Sequence, residues 1–264
     1  MEDVGRFFEL LWGSVVYRPY VYAFFVCFLV FAQHHLGLKR MLTFMVSTYI
    51  IAFLCEYSAT RNGFPFGFYT YIDTTRDREL WISNVPVWDS LSFVFLSYFS
   101  YLLAAALLMK SNNKRDGDWP SLRYRLTPVL GGVLMTLLDV VIDPVALQGG
   151  KWFLGEIYYY PHKGFYFGVT AANFAGWFFV GFATQRVFQR FLEHAPWCKD
   201  RWRPLHPRFV WGIFAVYTGV FIFNLGITVM IKDYVLATAS TAVILITLVP
   251  MGFFIRRRRL SWKY

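Results

Sequence analysis

Residues 234–255 read YVLATASTAVILITLVPMGFFI, 22 positions without a charged side chain, and Arg256-Arg257-Arg258-Arg259 follow directly. A bilayer-spanning helix needs about 20 mostly apolar residues. An arginine run at its end suits a lipid headgroup surface better than nucleic acid. This stretch therefore reads as a transmembrane helix and sets the class of the fold. Working outward, six more stretches meet the same requirement, so the predicted spans are about 20–36, 40–59, 88–109, 126–143, 166–186, 209–231 and 234–255. The last two are separated only by Lys232 and Asp233 and must form a tight hairpin. Pro128 and Pro250 sit at span ends, where membrane helices tolerate proline. The predicted fold is all-α and polytopic: seven helices in one bundle, with residues 1–264 as a single integral membrane domain. Composition agrees. Hydrophobic residues make up 57% of the chain against a usual share of about 45–50%, and charged residues only 16% against about 25%. A soluble globular domain, a disordered chain and a fibrous repeat are excluded. No internal repeat is visible.

The net charge of +10 would suggest nucleic acid in a soluble protein; here the basic excess belongs to loops at a lipid surface, and no nucleic-acid partner is expected. The segments after the first, third, fifth and seventh spans carry 18 of the 26 lysines and arginines. The other side carries eight: Arg6, Arg18, Arg61, Arg76, Arg78, Lys151, Lys163 and Lys232. This bias predicts a cytoplasmic C-terminus and, with seven spans, an N-terminus outside. The expected location is the cell (inner) membrane of a bacterium or archaeon. The first twenty residues include Glu2, Asp3 and Glu9 and do not read as a cleaved signal peptide. Cys27, Cys55 and Cys198 show no metal-ligand spacing, and no metal is expected. The connections about 60–87 and 144–165 are rich in Gly, Pro and aromatics, and are expected to fold back over the bundle mouth.

Ionisable groups inside spans are costly and therefore candidates for function. They are Glu56, Asp89, Asp139 and Asp143, all in the predicted outer half of the bilayer with no basic residue inside a span core to neutralise them. Asp139 and Asp143 are four apart, on one helix face and about 6 Å apart along the axis. Asn173 and Trp177 form a second such pair. Structural roles compete at each position: Asp89 can cap the N-terminus of its helix, Asp143 before Pro144 can end one, and Asn173 can bond one helix to another. Phe66, Tyr69, Tyr71, Trp88, Trp152, Tyr158, Tyr160 and Tyr166 crowd the same mouth, as an interfacial belt or as pocket walls. A carboxyl in a low-dielectric site can keep its proton at neutral pH, and aromatic faces stabilise cations. Together they suit protonation of an unactivated carbon–carbon double bond, as in a polyene or isoprenoid.

The stretch from Glu56 through Gly63, Pro65, Phe66, Gly67 and Tyr69 to Tyr71, followed by Asn84-Val-Pro86 and Trp88, resembles the membrane carotenoid-biosynthesis proteins that hydrate carotenoid end groups. So do Leu138-Asp139-Val-Val-Ile-Asp143-Pro144 with Trp152, and the run from Tyr166 to Asn173, Phe174, Gly176 and Trp177. The resemblance covers about residues 45–180. Where the family pattern has a proline shortly before Asn173, this chain has Gly168-Val-Thr, which points to a different substrate within the family. The resemblance implies a hydratase of the bisanhydrobacterioruberin or γ-carotene type. Such an enzyme adds water, without a cofactor, to the terminal isopropylidene double bond of an acyclic carotenoid end, giving a tertiary alcohol. Its partners would be a carotenoid or other long isoprenoid substrate and membrane lipid; association with other enzymes of the pathway stays open. On this reading Glu56 or Asp139 is the acid, Asp143 and Asn173 hold the water, and Asp89 is a further member. Phe66, Tyr69, Tyr71, Trp88, Trp152, Tyr166 and Trp177 would contact substrate. Two alternatives remain: a cyclase using the same protonating pocket, and a seven-helix isoprenoid transporter or binding protein. A retinal protein is excluded by the absence of lysine from 234–255.

Overall fold

A computed structural model describes residues 2–108, 122–198 and 205–261. Much of the basic loop material counted above, including Lys110, Lys114, Arg115, Lys199, Arg201, Arg203 and Lys263, lies outside the described residues. Among the described residues are eight α-helices: α1 (Glu2–Tyr17), α2 (Pro19–Leu36), α3 (Leu38–Asn62), α4 (Val87–Leu108), α5 (Leu122–Ala146), α6 (Ala171–His194), α7 (Pro207–Met230) and α8 (Tyr234–Ser261). α2, α3, α4, α5, α7 and α8 are long and apolar enough to cross a membrane. The chain is an all-α, multi-pass membrane protein.

Punctuation residues set the helix ends. Gly37 alone joins α2 to α3 at φ +75°, and Gly63 ends α3 at φ +81°, both in the region that glycine enters without a Cβ penalty. The α7–α8 hairpin is held by Asp233, whose Oδ1 accepts from Leu236 N at 3.1 Å and whose Oδ2 accepts from Gln148 Nε2 at 2.9 Å. α4 is apolar all round and runs through the centre, buried at every position from Phe93 to Ala106. Pro128 lies inside α5 and cannot donate to the Tyr124 carbonyl one turn back. That carbonyl accepts instead from Gln189 Nε2 of α6 at 2.8 Å.

Three expectations need correction. Span four does not stop at Asp143: α5 continues to Ala146, with Pro144 in its last turn, so the one bond that proline cannot donate, to the Val140 carbonyl, falls near the helix end. Span five does not begin at 166, because Gly164–Gly168 and Tyr166–Val169 bridge to form a turn, and α6 starts only at Ala171. α6 is also missing from the helices apolar enough to cross by composition. Its C-terminal half carries Thr184, Gln185 and Gln189, all fully buried against neighbours. Thr184 Oγ1 lies 2.9 Å from Ser97 Oγ of α4, and Gln185 Nε2 donates to the Ser97 carbonyl at 3.3 Å. Finally, α1 had no counterpart in the span count. It is a 16-residue helix with Phe8 and Trp12 exposed, docked by its opposite side on the connection before α4: Leu80 N donates to Ser14 Oγ at 2.8 Å.

The connections do fold back, and they pair with each other. β1 (Thr70–Tyr71) runs antiparallel to β4 (Tyr158–Tyr159), while β2 (Trp81–Ile82) and β3 (Val85–Pro86) form a second short ladder. Gly176 of α6 seats this cover: a Cβ there would stand 2.9 Å from the Pro65 carbonyl oxygen and 2.5 Å from the Phe66 ring. Backbone cannot yield as a flexible side chain can, so Gly176→Ala is expected to cost about 1–3 kcal/mol and lower the melting temperature in detergent. Gly226→Ala, with nothing within 4 Å, should leave it unchanged or slightly raised. Equal melting temperatures for the two variants would contradict this seating.

Candidate active site

A cavity with an empty volume of about 960 Å³, counted to its open mouth, lies among α2, α3, α4, α5, α6, α7 and the paired connections. Its polar groups fall into two sets. In the first, Asn173 near the start of α6 donates from Nδ2 to Asp139 Oδ2 at 2.8 Å and to Asp143 Oδ2 at 2.7 Å. One amide nitrogen thus bridges both α5 carboxyls. Thr170 caps α6 by accepting from Asn173 N, which fixes where the amide starts. The Tyr160 hydroxyl adds a third donor, to Asp143 Oδ2 at 3.0 Å. Asp143 and Asn173 line the cavity; Asp139 stands behind them, fully buried, with Oδ1 lacking a hydrogen-bond partner.

The second set surrounds Glu56 of α3. Its Oε1 accepts from the Tyr71 hydroxyl at 2.9 Å, and its Oε2 accepts from Ser90 Oγ of α4. Nearby, Arg18 between α1 and α2 is only 2% exposed. It donates from Nε and Nη2 to the two oxygens of Glu79 at 2.8 and 3.0 Å, and from Nη1 to Asp89 Oδ1. The sequence reading that no basic residue lies within a span core stands, yet a cation reaches Asp89 from outside the spans. Arg18 counts as a loop residue by position, yet α1 and the 73–80 connection close over it and exclude water. Asp89 is not an N-cap either: it is the third residue of α4, where a carboxylate also complements the helix dipole.

Between the two sets the walls are aromatic. Trp177 stacks on Phe93 at 4.5 Å, Phe66 packs on Phe93 at 5.8 Å, and Tyr69 lies 5.2 Å from Tyr71 and 6.2 Å from Tyr160. Burial first, then the neighbouring Glu56, holds the Tyr69 and Tyr71 hydroxyls well above the ordinary phenol range. Burial and then Asp143 do the same for Tyr158 and Tyr160. All four remain neutral donors at physiological pH. At the mouth, half-buried Tyr20 of α2 stacks on Phe223 of α7 at 4.8 Å and packs on Trp152 at 5.9 Å.

Of the predicted site residues, Glu56, Asp89, Asp143, Asn173, Phe66, Tyr69, Tyr71, Trp152 and Trp177 line this cavity. Trp88 does not; it packs on Tyr22 and Phe25 of α2. Nor does Tyr166, which packs on Phe167 and Phe174. Gly168, where the family pattern suggested proline nearby, sits at φ +90°, a conformation closed to proline. The sequence reading missed Arg18, Glu79, Ser90 and Asn224. Asn224, a buried amide of α7 lining the cavity, carried a readable signal as a polar side chain in an apolar span.

Fold and site together define a multi-pass membrane protein with an acidic, aromatic-walled pocket. Residues 16–248 match the family described as carotenoid biosynthesis protein, and the chain belongs to that family. Membership places it in carotenoid biosynthesis. No curated protein and no solved structure matches the chain.

The bridge by Asn173 makes a direct prediction. Asn173→Asp replaces the donor with a third carboxyl, with no cation paired to the cluster among the described residues. At pH 8 the variant should be less stable than the parent by about 3 kcal/mol, the scale of an uncompensated buried charge. Protonation relieves the repulsion, so the gap in melting temperature should narrow as the pH falls to 5. A gap independent of pH would refute the bridge.

Proposed function

We propose that this protein adds water across the terminal isopropylidene double bond of an acyclic carotenoid end, yielding a tertiary alcohol without a cofactor. The observation that supports this most is the carboxyl pair bridged by Asn173 beside a wall of aromatic faces. Two carboxyls sharing one donor in apolar surroundings repel if both ionise, so the pair holds a proton between them. Asp143, the member facing the cavity, gives that proton to the less substituted alkene carbon. The tertiary cation forms against the Trp177, Phe93 and Phe66 rings. Water, oriented by Asn173 and the Glu56 side, bonds to the cation and gives up a proton to a carboxylate, so the acid is restored over the cycle. Asp139, placed behind the bridge, acts through Asp143 rather than on substrate.

On the same reading α6 is the seventh crossing. Seven spans and the basic bias support an outer N-terminus, a cytoplasmic C-terminus and a site on the outer half of a bacterial or archaeal cell membrane. An enzymatic reporter fused after Tyr264 should then be active only in its cytoplasmic form; periplasmic activity would overturn this topology.

Expression in a lycopene-producing bacterium tests the chemistry. Pigments heavier by one or two waters, with an unchanged chromophore, are expected. A new ring at unchanged mass would mean a cyclase, and unaltered lycopene beside inserted protein would refute hydration of that end group. Asp143→Asn should accumulate normally and lose about 10²–10⁴-fold in rate, because an amide keeps the hydrogen bonds and cannot donate the proton. Asp139→Asn and Glu56→Gln should be milder. A larger loss in Glu56→Gln than in Asp143→Asn would move the acid to Glu56.

A further inference from the structure

Arg18 makes both buried ion pairs found among the described residues. Glu79 alone satisfies its charge: it takes Nε and Nη2 in a forked pair and itself accepts from Thr75 Oγ1. A clip joining α1, α2 and the 73–80 connection would need no more. Yet Asp89 of α4 takes the remaining Nη1, so two carboxylates share one guanidinium. That arrangement carries one net negative charge into a dry interior, which is costly for a purely structural contact. Asp89 lines the cavity, and its Oδ2 is buried without a hydrogen-bond partner. The charge therefore stands, with a free lone pair, at the opposite set of polar groups from the bridged Asp139 and Asp143.

We propose that Arg18 is a positioning residue that holds Asp89 as an ionised carboxylate facing the cavity, where Asp89 balances the substrate cation and takes the proton released when water adds. This rests on the hydration reading above and assigns its second half. Water oxygen bonds to the tertiary carbon, one water O–H bond breaks, its proton passes to Asp89 Oδ2, and that proton later returns to the acid pair through solvent. The two ends of the site then have opposite duties because one has a cation and the other does not. The titratable and charged groups facing Asp89 are Arg18, Glu79 from the 73–80 connection, Tyr20 from α2, Glu56 from α3, Tyr69 and Tyr71 at β1, and Asp143 from α5.

The test reads turnover against pH in membranes of the expressing strain, with lycopene as substrate. The acid limb reports the group that must be ionised, Asp89. In Arg18→Gln the lost cation should move that limb to higher pH, with turnover down at least tenfold at pH 7 and recovering toward pH 9. In Glu79→Gln a repelling charge next to Asp89 is removed, and the limb should move to lower pH. Asp89→Asn should lose at least 100-fold with no recovery at any pH. A merely structural role cannot move one limb in two directions. If Arg18→Gln does not accumulate, the direction of the Glu79→Gln shift decides alone. Infrared difference spectra of parent minus Asp89→Asn at pH 7 read the carboxylate without turnover, so failure of hydration and failure of this proposal remain separate results. An ionised-carboxylate band in the parent, replaced by a protonated carboxyl in Arg18→Gln, is expected. A protonated Asp89 in the parent, or unmoved limbs in both variants, would overturn the proposal.

Discussion

The two hydrogens on the Asn173 amide each go to a carboxyl of α5, and much else in the bundle follows from that bond pair. Inside a bilayer a polar group finds its partner in the protein or is left unsatisfied at a cost of several kcal/mol. Asp139, Asp143 and Asn173 meet this demand together, and so fix the rotation of α5 against α6. A Cβ on Gly181 would stand 3.1 Å from the Gly132 Cα, so this glycine pair lets the two backbones approach closely enough for the contact to form. The same demand recurs one layer further in, where Gln189 answers the carbonyl that Pro128 leaves without a donor.

Charge is distributed unequally over the cavity. The α5–α6 side has two carboxyls held by neutral donors, Asn173 and Tyr160. The α2–α4 side has two carboxylates on one guanidinium, with Glu56 held apart by Tyr71 and Ser90. Aromatic rings separate these sides, and no helix contributes to both. The arrangement exists only because β1 and β4 join the two long connections, which bring Tyr71 to one side and Tyr160 to the other.

Apolar run length and loop charge were enough to find six of the long helices and the class of the fold. Carboxyls in apolar runs led to the α5 pair, and helical spacing put Asp139 and Asp143 on one face. What stayed hidden has a common physical cause: its environment is made by tertiary closure. Arg18 borders a proline and a modest amphipathic segment; only the docking of α1 through Ser14 and Leu80 makes it a buried cation. Trp88 and Tyr166 belong to the same aromatic-rich mouth as Trp152 and Trp177, and composition cannot tell which rings turn inward. The start of α6 was misplaced because residues 166–170 are as apolar as a helix end, while their backbone is spent on a turn.

α6 also bears on how the protein is made. Taken singly in a bilayer, it would present Thr184, Gln185 and Gln189 to hydrocarbon, and it is not among the helices long and apolar enough to cross by length and composition. Its polar face is satisfied only when α4 and α5 are already beside it. On the seven-span reading proposed above, insertion of this segment depends on the helices synthesised before it, and the Asp–Asn–Asp cluster forms in the same step. A chain stopped before that step would hold Asp139 and Asp143 without the donor that Asn173 supplies to both.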